Sequence, residues 1–246
     1  MSSLLRKGTV EGTLAAAAVF LAGTPILTYG LWLADGCDPY LPFISDMDLP
    51  ERSGVSFTIG YAISGILLAC SSFQFGILRE RWLIGNGVER TWVTLNRFSF
   101  VASMLSGVSL FWISFTPWDE HLQLHIAQAN VIFIGSVSWA ICVSIVTSRM
   151  AVADPSFSEL VWPRAALAAM GLIGLLGMAE RFLRFSGITM EMYALEDRLM
   201  MLEEDCVSLN ESLLSQAAVF EWILAASMVL MVASLIPEVG KISDHE

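Results

Sequence analysis

The chain has 246 residues, 55% of them apolar and only 15% charged, against about 25% charged in an average soluble domain. The apolar fraction excludes a disordered chain, and four cysteines in this length exclude a disulfide-stapled miniprotein. A net charge of −11 leaves no basic footprint for nucleic acid, so that partner is set aside and an integral membrane protein is expected.

About 20 apolar residues in a helix cross ~30 Å of hydrocarbon. The first uncharged run, Gly12 to Ala34, has 23 residues. Arg6 and Lys7 precede it as in a signal peptide. The run is longer than an h-region and ends without a small-x-small site, so we read an uncleaved first span over 12–34. Pro25 is expected to kink it. Residues 35–52 follow with three prolines and five acids, an extended loop. Ser53 to Leu78 is uncharged for 26 residues, giving a second span over 54–78. Arg79, Arg81, Arg90 and Arg97 then alternate with Trp82 and Trp92, as cytoplasmic cations and an aromatic belt do.

The third run, Phe98 to Trp118, has 21 residues and places a span over 97–117. Its Ser99, Ser103, Ser106 and Gly107, like Ala168, Gly171, Gly174 and Gly177 further on, suit close helix approach. His121 and His125 stand four apart, on one face if helical. The residues between them do not make a zinc motif, and no metal or other cofactor is assigned. Ile126 to Ser148, 23 residues, gives a span over 125–148. The fifth run, Ala165 to Ala179, has 15 residues and reaches a span over 160–180 only if Arg164 snorkels to the interface. The sixth, Trp222 to Pro237, has 16 residues and extends back to a span over 214–237 if Glu221 is tolerated.

Six spans put both termini on one side. That side carries nine of the 13 basic residues, so the positive-inside rule makes it cytosolic. The other side carries 15 of the 24 acids and a charge near −11. There, between spans five and six, Ile188, Met192, Leu195, Leu199, Leu202, Cys206, Leu209 and Leu213 recur in alternating steps of four and three. This predicts an amphipathic heptad helix over 186–214. It is expected to pack on the protein's own outer loops, to bind a partner protein, or to form a homo-oligomer. Cys37 and Cys206 lie on the outer side, where an oxidising lumen allows them to pair. Asn210-Glu211-Ser212 is a glycosylation sequon there. The expected fold is all-α: a single six-helix transmembrane bundle over 1–246, with an acidic outer cap holding the extra helix.

Leu41-Pro-Phe-Ile-Ser-Asp46, followed by Pro50-Glu51 and an apolar span, resembles the first lumenal loop of the DRAM family, the damage-regulated autophagy modulators grouped with the Frag and Sfk proteins. Leu95-Asn96-Arg97, His125, Trp162 with Arg164, and Glu221-Trp222 agree in order. The resemblance implies a six-span protein of lysosomal, Golgi, endoplasmic reticulum or plasma membranes. It also implies links to autophagy, to remodelling of lipid-anchored proteins and to lipid asymmetry. Membrane lipids are the partners it suggests.

Asp46, His125, Gln128, Glu221, Trp222 and Asn96 are the candidate lipid-binding residues. Glu221 is expected about 8 Å inside the sixth span, where a lone charge is costly. Two readings are open for it: an ion pair with Arg181 or Arg184, or a lipid-headgroup or proton-linked role. Asp46 with Ser45 either holds loop amides or faces a ligand. No nucleophile elbow accompanies Ser45, and no catalytic residue is assigned. The leading expectation is a non-enzymatic, lipid- or partner-binding regulator with a cavity under the first outer loop. An intramembrane lipid-remodelling enzyme is the alternative, and a transporter or channel the third reading.

Overall fold

A computed structural model describes residues 3–37, 39–186 and 212–243. The described residues are helical apart from short connections. Six long helices follow in order: α1 (Lys7–Ala34), α2 (Glu51–Gly85), α3 (Arg90–Ile113), α4 (Trp118–Ala153), α5 (Ser158–Ser186) and α6 (Ser212–Ala233), with a short α7 (Ile236–Ser243) after α6. Each long helix packs on the next, and α6 returns to α1, so the six form a closed ring. A single 3-10 turn, Ile44–Asp48, breaks the outer loop between α1 and α2 and lies against α1, α2 and α6.

Five of the six long helices carry a stretch apolar enough to cross a membrane; α3 is the exception. The outer circumference is apolar: Ile26, Val55, Ile59, Ile134, Ile173 and Leu176 are all more than half exposed. So large an exposed apolar surface belongs in lipid rather than in water. The serines of α3 turn the other way. Ser103 exchanges a 2.7 Å hydrogen bond with Ser72 of α2, and the Ser109 hydroxyl donates to the Gln128 carbonyl of α4 at 3.0 Å. Close approach finishes the contacts. A Cβ on Gly107 would lie 2.7 Å from the Ala69 backbone nitrogen, and one on Gly174 would lie 2.9 Å from the Leu224 Cβ. These glycines let α2 meet α3 and α5 meet α6 at backbone distance.

The helices overrun the uncharged runs at several ends, because a helix does not stop where the hydrocarbon stops. α3 is shifted at both ends from its expected 97–117. It starts seven residues earlier, at Arg90, and ends at Ile113. The stop has a local cause: Pro117 disfavours helical backbone at Thr116, whose hydroxyl turns back to the Ile113 carbonyl. The sixth run also divides. α6 ends at Ala233, and Pro237 at the second position of α7 cannot supply the amide that would continue it. α1 runs through Pro25 as one helix. The heptad segment lies outside the described residues, as do Cys206 and Asn210.

Candidate functional site

The outer loop is drawn down onto the helix ring by two consecutive residues of α6. Glu221 accepts the Ile44 amide N–H at 2.8 Å, and the Trp222 indole N–H donates to the Pro42 carbonyl at 2.8 Å. One turn of the loop is thus gripped from both of its hydrogen-bonding sides. Asp46 closes the turn by accepting the Phe43 N–H at 3.0 Å. Met47, Trp32 and Cys37 pack beneath, with Tyr29 edge-on to Trp222. Gly54 admits this arrangement, since a Cβ there would run into the Asp48 carbonyl.

Under the loop the ring borders a half-open cavity of about 500 Å³, lined mainly by apolar side chains of α2, α4, α5 and α6. That is the size range of small-molecule sites. Asp46, His125 and Glu221 line its outer end and are 4%, 5% and 6% exposed. From Glu221 its lining continues along α6 to Val232, about 16 Å at 1.5 Å per residue. Burial pushes the Asp46 carboxyl up to about 7, partly offset by the Phe43 N–H and the Trp118 indole beside it. Asp48 is likewise pushed up to about 7, by burial first and then by repulsion from Asp119.

His125 is held by a 2.7 Å contact from Nδ1 to the Thr116 carbonyl. A carbonyl only accepts, so Nδ1 carries a proton, and in the neutral ring Nε2 then presents a lone pair. The backbone is non-helical at His121, with φ −139° and ψ 49°. This kink breaks the four-residue register with His125: His121 is exposed while His125 is buried. The two rings therefore do not share a face.

Other residues singled out from the sequence sit elsewhere. Asn96 donates to the Gly76 carbonyl at 2.9 Å and ties α3 to α2. Gln128 accepts the Thr116 hydroxyl at 2.5 Å, beside the cavity but outside its lining. Trp222 serves the loop rather than the cavity. The expected ion pair of Glu221 with Arg181 or Arg184 is not formed. Both arginines pair with Glu180, one residue from Arg181 and one helical turn from Arg184, and Arg181 also reaches Gln216 at 2.9 Å. A partner on the same helix is nearer than one across the α5–α6 seam. Cys37 is disulfide-bonded, and Cys70 and Cys142 are free.

A second polar cluster stands at the inner end, where the sequence predicts only interfacial cations. Arg79 of α2, Arg164 of α5 and Glu238 of α7 are all fully buried. Arg79 Nε lies 2.8 Å from Glu238 Oε1, and Arg164 Nη1 pairs with Glu238 Oε2. Thr147 of α4 accepts from both guanidiniums, at 2.5 and 2.7 Å, and Arg164 also donates to the Ser234 carbonyl at 2.6 Å. Arg164 therefore points inward to a carboxylate instead of snorkelling. The legible signal was a charge on the apolar stripe: Phe75, Leu78, Trp82 and Leu83 surround Arg79 on the buried face of α2.

Among known families, the model described as Frag1/DRAM/Sfk1/Cwh43P N-terminal domain matches residues 13–242. The chain belongs to this family. No curated protein and no solved structure matches it. The match spans the residues of the gripped loop, of the cavity and of the inner ion cluster.

Proposed function

We propose that this protein is a six-span membrane protein with cytosolic termini, and that it works by binding a lipid in the cavity under its first outer loop. In endomembranes it then acts as a regulator of membrane lipid organisation or autophagy. The observation that carries this reading is the cavity itself: about 500 Å³, apolar along its length and polar at one end, inside a ring of helices whose outer surface is apolar. An apolar void of this size within a bilayer is occupied at little cost by a chain that already lives there. α3 counts as the sixth span because its 24 residues cover about 36 Å, and the hydroxyls of Ser103 and Ser109 find partners on neighbouring helices. The excess of basic residues on the side of both termini supports their cytosolic placement.

The test is lipid retention by the purified full-length protein. Ala225 lines the cavity part-way along its length, and Ala225→Trp obstructs it there. Native mass spectrometry should show lipid adducts on the wild type and their loss from a folded Ala225→Trp variant. Equal retention by both would place the lipid on the outer surface and sink the reading.

A further inference from the structure

We propose that the outer end of the cavity takes the protonated amine headgroup of a long-chain lipid. This deepens the lipid-binding reading and rests on it. Two carboxyls, Asp46 and Glu221, meet at that end, where they hold the consecutive amides of Phe43 and Ile44. Each spends one oxygen on a loop amide, and among the described residues neither forms an ion pair. His125 adds a third acceptor: with Nδ1–H committed to Thr116, its Nε2 is a lone pair with no hydrogen-bond partner among the described residues. The ring is 95% buried and lines the same space.

Three acceptors and, among the described lining residues, no cation define what fits. A phosphate or carboxylate head would face two carboxyls and a lone pair, with nothing to balance its charge. A neutral hydroxyl head satisfies at most one acceptor with one proton. An ammonium supplies three donors and a positive charge, and Phe57, Tyr61 and Trp118 in the lining offer it aromatic surface. The apolar stretch beyond, down to Trp139 and Val232, suits the chain of such a lipid and not a small soluble amine. A single-chain amine with a long alkyl tail is the simplest member of that class.

The experiment uses full-length protein and four probes: octadecylamine, octadecanol, stearate and butylamine. Adducts are counted by native mass spectrometry after release from the micelle. Octadecylamine should bind at least tenfold better than the other three. Glu221→Gln and Asp46→Asn keep the acceptor oxygen that holds the loop. Each should lower octadecylamine binding about tenfold while leaving octadecanol unchanged. If one variant fails to fold, the other carries the test. Octadecanol or stearate binding as well as the amine, or both variants binding it like wild type, overturns the headgroup assignment and leaves the lipid cavity standing. Butylamine binding equally well overturns the lipid source. Failure of all three long-chain probes overturns the cavity reading as well.

Discussion

Glu238 is the residue on which the inner end of the bundle turns. It is the only carboxylate in contact with two fully buried guanidiniums among the described residues, so replacing it by glutamine leaves two charges without a counter-charge. Removing one partner of a buried ion pair typically costs about 3–5 kcal/mol, because the remaining charge stays desolvated. Here two arginines lose their partner, and Thr147 and Ser234 cannot replace the missing negative charge. The upper part of that range is expected, about 4–5 kcal/mol. For a chain of this size that is a fall of roughly 10 °C or more in Tm. Tryptophan fluorescence during heating in detergent reads it directly, since Trp82 packs against Phe157 beside the cluster. The triple replacement Arg79→Met, Arg164→Met, Glu238→Met should recover most of the loss, because an apolar cluster of similar volume is often neutral or better. A fall of under about 3 °C for Glu238→Gln, which is about 1 kcal/mol, would show that the three charges do not share a dry site.

Three further outcomes follow from named contacts. Asp46 binds its proton more tightly in the folded protein than in the unfolded chain, so stability should fall as pH rises from about 4 to about 7 and then level off. Between pH 5 and pH 8 the Asp46 share of the loss is at most about 3 kcal/mol; Asp46→Asn should make the Tm profile shallower in that window, with Asp48 keeping the remaining slope, and an unchanged profile would contradict the buried carboxyl. Gly174→Val places side-chain atoms where Leu224 and the Phe220 carbonyl already stand, so it should destabilise the α5–α6 contact by about 1–3 kcal/mol or more, read as a Tm decrease. Trp222→Phe removes the donor to Pro42 and should cost about 1 kcal/mol. Limited proteolysis should then cut faster between residues 38 and 50, and unchanged cleavage would show that the loop is held by other contacts.

The sequence revealed the long helices because their lengths follow from one dominant physical term, the transfer of apolar side chains into hydrocarbon. It revealed their ends less well. The stop of α3 at Ile113 depends on one proline, and the break at Ala233 depends on another. Glu221 and Asp46 stood out because a carboxyl in an apolar run or a proline-rich turn needs a reason to be there. Their partners were not legible: the Glu221 side chain finds a loop amide 177 residues away, and no local pattern encodes that pairing. The nearby arginines offered a simpler answer on charge alone, yet Glu180 claimed them within their own helix. Arg79 and Arg164 were counted with the interfacial cations, although each sits on a stripe that packs inward. Charge counting along a chain records which side of the membrane a residue is near, and only the helical face tells whether it points to lipid, water or the bundle.

What fills the space between Glu221 and Val232 decides whether this protein holds a lipid. An experimental density map of the full-length protein in a lipid nanodisc measures this directly. Elongated non-protein density should run along α6, with its head against Asp46, His125 and Glu221. Collapse of α4, α5 and α6 onto one another, with side chains closing that space, would contradict the account.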